Sequence, residues 1–253
     1  MPAAPPAQPA DDRSAPAGPG QVPDRELAGM ADIGAPAVEQ TEQLHRRRTA
    51  VAELGAALRE LVAATVATEV DDVQLRQVAD QARVLAQRLR ASSRAAGTPS
   101  SVDDLRRGQR YYNPVVGPGS PLAPPMRIEI TEEGAVGRCT LGLPYEGPLG
   151  FGHGGISALL LDQIMGYATA AAGHPAVTGR LQVRYRAAVP LLEPLLVRGS
   201  VIDVLGVRVA ARGSIAAAAR PEDVLVEAEG RFLTLRREQA QRLFGPPHRP
   251  RSG

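Results

Sequence analysis

Two features of this 253-residue chain carry chemistry. The first is Asp162, the single charged side chain between Gly154 and Ala172 in a run of Ile, Leu, Met, Ala, Gly and Tyr with a few hydroxyl or amide groups. A helix apolar on most faces is a buried helix. A carboxylate on it is costly unless it has partners or a task. Burial favours the neutral acid and raises its pKa, which suits a general base working nearer neutral pH. The ordinary structural explanation is a carboxylate that caps a neighbouring turn or pairs with an arginine from a strand. The second feature is Gly150-Phe-Gly-His-Gly-Gly155, which runs straight into the same helix. Glycines permit close approach and unusual backbone angles. Free N–H groups at a helix N-terminus, at the positive end of its dipole, attract an oxyanion or a polarised carbonyl. A tight strand-to-helix turn is the structural alternative. The turn lacks G-x-G-x-x-G spacing and no β-α-β pattern surrounds it, so it is not read as a dinucleotide loop.

Eight residues separate Gly154 from Asp162, which is ~12 Å along a helix at ~1.5 Å per residue. One carbonyl cannot touch both groups of the same chain. Two antiparallel copies of the helix across a two-fold axis would bring Gly154 of one chain near Asp162 of the other. If both act, the site is intersubunit and the protein is at least a dimer.

Other chemistries fit less well. His153, Asp162 and His174 are too far apart along one helix face to read as a metal site. Cys139 lies on a strand with no His near it in sequence and reads as a small core residue. Ser157 sits inside the helix and not on a nucleophile elbow. Arg180, Arg184 and Arg186 share one strand face; CoA phosphates are one partner for them, solvent the commoner one. All 29 basic residues are Arg, so Schiff-base and P-loop lysine chemistry is excluded. The net charge is +2 and aromatics are 3% of the chain, which leaves no basic, base-stacking platform for nucleic acid. One cysteine excludes an intrachain disulfide framework. No apolar run spans a bilayer. No basic n-region and apolar h-region open the chain, so no signal peptide is expected and a cytoplasmic location is.

These groups need elements to hold them. Residues 1–35 are rich in Pro, Ala and Gly and read as a disordered tail. Residues 36–95 read as an αα-hairpin. Leu44, Val51, Leu54, Leu58 and Leu61 recur at helical spacing, and Leu75, Val78, Ala82, Leu85 and Leu89 form a heptad seam. Asp71 with Gln74 reads as the N-cap of the second helix. Residues 96–109 form a linker, and the Pro-rich stretch to 125 is irregular but ordered. Strands are expected at 126–130, 136–143, 181–185, 195–204, 207–218 and 224–235, with the long helix at 156–172 between the second and third. Gly199, Gly206 and Gly213 are expected at bends or bulges. Antiparallel sheet plus one buried helix is an α+β layout. Residues 238–253 form a C-terminal tail.

The run from Tyr145 to Asp162 has the pattern E-G-x-x-G-x-x-H-G-G followed by Asp nine residues after the His. With Val177-Thr178, Val183-x-Tyr185-Arg186 and Pro190, it resembles the hot-dog acyl-CoA thioesterases of the PaaI type in the 4-hydroxybenzoyl-CoA thioesterase superfamily, closest to the carboxy-terminal modulator protein-like branch. The resemblance covers residues 110–237. It implies a hot-dog fold, in which five or six antiparallel strands wrap round a long central helix, assembled as a homodimer or dimer of dimers. It implies hydrolysis of an acyl-CoA thioester without cofactor or metal. By position, the Gly154 N–H would hold the thioester carbonyl, His153 would position it, and Asp162 of the partner chain would activate water or attack directly. Thr178 would orient the water or the carboxylate, and Gly155, Tyr185 and Arg186 would contact substrate. Some relatives carry Asn where this chain has Gly147; the modulator-like branch has Gly there. A hydratase of this fold pairs its Asp with a His five residues on, where this chain has Tyr167. The remaining alternative is a non-catalytic hot-dog dimer that binds acyl-CoA, or a protein partner through the helical hairpin.

Overall fold

The computed structural model describes residues 38–104 and 108–235. The expected tails at 1–35 and 238–253 lie outside the described residues. The chain divides into two units, Met1–Thr41 and Glu42–Gly253, and the second carries the structure below.

The N-terminal helical hairpin is α1 (Val38–Ala67) and α2 (Asp72–Arg90). The Asp71 carboxylate caps α2 by accepting from the backbone N–H of Val73 and Gln74. Asp72 in its first turn, and Arg88 and Arg90 in its last, complement the helix dipole. α1 is strapped to the irregular segment that follows the hairpin. Arg59 donates to the carbonyls of Pro118 and Ser120 (2.9 and 2.8 Å). Arg48 donates to Val102 O and lies over the Tyr111 ring. A Cβ at Gly55 would stand 2.4 Å from Pro118 O, so only glycine lets the helix sit this close.

Six strands form one antiparallel sheet in the order β1-β2-β4-β5-β6-β3. They are β1 (Arg127–Thr131), β2 (Gly134–Thr140), β3 (Val177–Tyr185), β4 (Pro194–Leu205), β5 (Arg208–Ala217) and β6 (Val224–Leu233). Between β2 and β3 runs α3 (Gly154–Ala171), which lies on one face of the sheet. Alternation in β4, β5 and β6 turns Leu195, Val197, Val209, Ala211, Ile215, Val226, Ala228 and Phe232 toward it. Leu160, Leu161, Ile164 and Met165 of α3 are fully buried against them. Each such side chain contributes ~1.5–3 kcal/mol of transfer free energy. This is the hot-dog fold, as the family resemblance implies, with an N-terminal hairpin, as the sequence pattern implies.

The glycines behave differently from expectation. Gly199 and Gly213 are not at bulges; they are cross-strand partners in β4 and β5. A Cβ at Gly199 would lie 2.9 Å from Ile164 O, and one at Gly213 3.0 Å from Leu161 Cδ2. The pair forms a saddle: the α3 backbone rests on Gly199, and the Leu161 and Met165 side chains on Gly213. The register shifts fall instead at Thr178/Arg180, Val201/Asp203 and Ile215/Ala216. Gly206, with φ +59°, does make a turn: it opens the two-residue loop of the β4–β5 hairpin, where positive φ matches the strand twist. No helix among the described residues is long and apolar enough to cross a membrane.

Cys139 is buried under α3, and burial pushes its thiol up from 9.0 to about 12. The unfolded thiol ionises first. Its contribution to stability is therefore complete below pH 9 and is lost as the pH climbs from there toward 12. Iodoacetamide at pH 8 is expected to leave native Cys139 unmodified and to alkylate it in urea, as mass spectrometry would read. Gly199→Ala is expected to cost about 1–3 kcal/mol through overpacking of the saddle. The measure is a lower urea midpoint at unchanged slope.

Candidate active site

The loop before α3 is braced by its own backbone. Glu146 accepts from Gly150 N–H (2.7 Å), Gly147 N–H donates to Phe151 O, and His153 N–H donates to Tyr145 O. Gly150 has φ +81°, a conformation that side chains rarely adopt. A Cβ at Gly147 would stand 2.7 Å from His153 Cα, which explains why this loop has no room for a larger residue there. Gly152 N–H donates to Val189 O, which ties the loop to the stretch before β4.

His153 is the N-cap of α3 and is exposed. Its Nδ1 accepts from Gly155 N–H at 2.9 Å. An imidazole that accepts at Nδ1 carries its proton at Nε2, so a donor remains on the outer edge of the ring. The His153 carbonyl takes the N–H groups of Ile156 and Ser157. The Gly154 N–H has no protein acceptor among the described residues. It is thus the open donor at the positive end of an 18-residue helix. Tyr185, at the end of β3, donates its hydroxyl to Gly154 O at 2.9 Å. A Cβ at Gly154 would lie 3.2 Å from the Tyr185 ring, so glycine permits this contact. The hydroxyl and the His153 ring thus hold the Gly154–Gly155 peptide from both sides, next to the open Gly154 N–H.

Asp162 lies two turns further on and is half-buried in the chain as described. The fully buried helix face expected for it is not what this chain alone provides. Its Oδ1 accepts from Thr178 Oγ1 at 2.7 Å. That contact depends on a β-bulge. Thr178 pairs with Phe232 and Arg180 with Arg231, leaving Gly179 as the extra residue. Strict alternation would set Thr178 and Arg180 on one face. The bulge turns Thr178 to the α3 side and Arg180 to the outer side.

One chain therefore brings His153, Gly154, Gly155 and Tyr185 together, and Asp162 with Thr178, in two clusters ~12 Å apart along α3. Gly155 spends its N–H on His153. Arg186 is elsewhere. Its guanidinium donates to Glu227 at 2.8 Å, with Arg184 at 3.6 Å from the same oxygen, on the sheet face away from α3. A broad cleft on that outer face, lined by Arg184, Arg198, Arg212 and Glu227, contains none of the reactive groups.

Sequence reasoning missed three supports. Glu146 braces the loop. Asn113 donates to Gln163 Oε1 (3.0 Å) and so ties the Pro-rich segment to α3 beside Asp162. Leu149, Phe151 and Leu192 form an exposed apolar rim near the helix start; Phe151 bridges Pro190, and Leu192 has φ +61°. In sequence these are single apolar residues in Gly- and Pro-rich turns, a pattern with no period to read.

His153→Ala removes both the cap and the Nε2 donor and is expected to cost ~0.5–2 kcal/mol of stability. His153→Asn keeps a capping oxygen and is expected to stay within a few tenths of a kcal/mol of the parent. Urea melts of the two variants check the capping role separately from any effect on chemistry.

A family model described as thioesterase superfamily matches residues 149–214. A solved crystal structure of a thioesterase superfamily protein is 34% identical, with a TM-score of 0.65, over 72% of this chain and 94% of that one. A Streptococcus mutans protein bound to acetyl CoA is 18% identical over 44% of this chain and 88% of its own, with a TM-score of 0.41. Zebra fish thioesterase superfamily member 2 is 18% identical over 44% and 81%, also with a TM-score of 0.41. No curated protein matches the sequence. With a relative 34% identical across 94% of its length, and the helix-start donor and Asp162–Thr178 pair in place, the chain belongs to the thioesterase superfamily.

Proposed function

We propose that this protein hydrolyses acyl-CoA thioesters to the free acid and CoA, at sites built from two copies of the chain. The observation that carries the reading is the open Gly154 N–H at the start of α3, set apart from an Asp162 carboxylate that Thr178 already orients. Each cluster is half of a hydrolytic site. A second copy related by a two-fold axis supplies the other half. β3 supports that assembly: it is a nine-residue edge strand with one side of its backbone ladder unpaired in the sheet. Edge strands of this length invite pairing with another chain.

The chemistry follows from the groups. The thioester carbonyl oxygen takes the Gly154 N–H, with His153 Nε2–H beside it. Thr178 occupies Oδ1 of the partner's Asp162, which leaves Oδ2 to accept a proton from water. Water attacks the carbonyl carbon, and negative charge grows on the oxygen held by the N–H. A preorganised donor of this kind is worth ~2.7–4 kcal/mol of barrier. Collapse expels the CoA thiolate, which takes back the proton from Asp162. Direct attack by the carboxylate is the variant of the same step, with an anhydride then hydrolysed. The non-catalytic reading of the fold assigns no role to the Thr178–Asp162 pair. The apolar rim of Leu149, Phe151 and Leu192 suits an acyl group more than a polar one.

Asp162→Asn keeps the shape and removes the base; kcat for thiol release from acyl-CoA is expected to fall by at least ~10²-fold with the oligomer intact. Gly154→Pro removes the donor and is expected to be as inactive. Mixed and reassociated, the two dead variants form hybrid dimers with one intact site, and about a quarter of the parent activity should return. No recovery from well-mixed hybrids would place both groups in one chain and end the two-copy reading.

A further inference from the structure

The irregular segment from Tyr111 to Leu122 bonds to α1 and also to the residues that frame the candidate site. Arg48, Val51, Gly55 and Arg59 are spaced three, four and four residues apart, so they share one face of α1. That face meets the segment. Arg48 lies over the Tyr111 ring. A Cβ at Gly119 would stand 2.4 Å from Val51 Cγ1, and one at Gly55 2.4 Å from Pro118 O. A single nitrogen of Arg59 donates to the carbonyls of both Pro118 and Ser120. Pro114, Pro118 and Pro121 offer no backbone N–H, so the segment is short of donors of its own. Arg59 supplies two from outside.

Hydrogen bonds carry that grip toward both clusters. Gly117 N–H donates to Asn113 O (3.0 Å) and Gly119 N–H to Tyr111 O (2.9 Å), which closes the gripped stretch back onto residues 111 and 113. The Asn113 side chain is then held at both ends. Its Oδ1 accepts from Val115 and Val116 N–H, and its Nδ2 donates to Gln163, the neighbour of Asp162 on α3. At the other end of the segment, Ser120 Oγ accepts from Leu122 N–H, and Leu122 O accepts from the Tyr145 hydroxyl. Tyr145 O in turn accepts from the N–H of His153, the cap of α3. The Arg59 guanidinium also stands within electrostatic reach of Tyr145: burial raises the pKa of the phenol, and the cation works against that shift.

We propose that α1 is a positioning element of the hydrolytic site and that Arg59 is its positioning residue: by gripping residues 118–120 it holds the segment that is bonded to Gln163 beside Asp162 and to Tyr145 ahead of the His153 cap. The purpose of these positions rests on the hydrolytic reading; the contacts themselves do not. The N-terminal hairpin is then part of the working enzyme and not an appendage to it.

Thiol release from acyl-CoA and hydrogen–deuterium exchange, both on the full chain, test this together. Arg59→Ala is expected to lower kcat ~10–10²-fold with KM held within about twofold, because groups misplaced by ~1 Å cost up to that much. Gly55→Ala breaks the same seat from the other side, by crowding Pro118 O, and is expected to do the same. Both Arg59 bonds leave one nitrogen, and a Lys ammonium also carries several donors on one nitrogen, so Arg59→Lys is expected to recover most of kcat. Arg76→Ala, which removes an α2 cation paired with Asp72, should leave kcat unchanged. Exchange reads the same link without turnover. In Arg59→Ala, peptides spanning 111–122 and 143–156 should both exchange faster, while those of β4 and β5 keep the parent rate. Circular dichroism sets the conditions under which every variant is folded. A parent-like kcat in folded Arg59→Ala, or a rise in KM alone, would overturn the proposal, and so would faster exchange confined to 111–122. A parent that releases no thiol from any acyl-CoA, with 143–156 still loosened by Arg59→Ala, would end the hydrolytic reading and leave the link from α1 to the start of α3 standing.

Discussion

The close seat of α3 on the sheet is the constraint from which the rest follows. Gly199 and Gly213 face one another across β4 and β5; the α3 backbone rests where a Gly199 side chain would be, and Leu161 and Met165 where a Gly213 side chain would be. Ile164, Leu161 and Met165 then fill the space on either side. With 3% aromatic residues, this core could not be filled by large rings held at a distance. It is filled by aliphatic side chains and by bringing backbone close to backbone. His153, Gly154 and Asp162 of the candidate site are all carried by this helix or its cap.

Both clusters of the candidate site depend on that seat. At the N-terminus, His153 caps the helix, Tyr185 holds the Gly154 carbonyl, and one N–H is left over. Two turns on, Asp162 meets Thr178 because a bulge in β3 turns that hydroxyl inward. Neither arrangement involves metal-binding geometry among the described residues. The first holds a backbone donor in place and the second orients a carboxylate; on the proposed reading these serve the oxyanion and the water. The edge position of β3 places the second cluster beside an unpaired strand edge.

The hairpin obeys a different logic. α1 is held by Arg48, Arg59 and the glycine contact at Gly55, all directed at backbone carbonyls or close backbone approach. α2 has a proper cap and complementary end charges, yet its seam packs on nothing buried. The sheet and α3 satisfy one another within a chain. The hairpin does so only in part.

Much of this was legible in residue order. Periodicity marked both hairpin helices and all six strands, because alternation and 3.6-residue spacing are local consequences of which face is buried. Asp71 was readable as a cap since the capping bond spans only three residues. The E-G-x-x-G-x-x-H-G-G run and Asp162 were visible because the loop and the helix are contiguous. Thr178 could be matched by motif, but not its direction: a bulge is an event between two strands, and strict alternation along β3 alone points the hydroxyl the wrong way. Gly199 and Gly213 read as bends for the same reason, since nothing in either strand reveals that the other glycine lies opposite. Arg186 shared a motif with Tyr185, yet adjacent strand residues face opposite sides, and only the sheet decided that one meets the helix and the other Glu227. The sequence by itself determined the elements, the reactive groups and their spacing along one helix, because those are properties of neighbours in the chain. The tertiary structure alone decided which N–H stays free, which oxygen Thr178 binds and which apolar seam stays uncovered, because each depends on contacts between residues far apart in sequence.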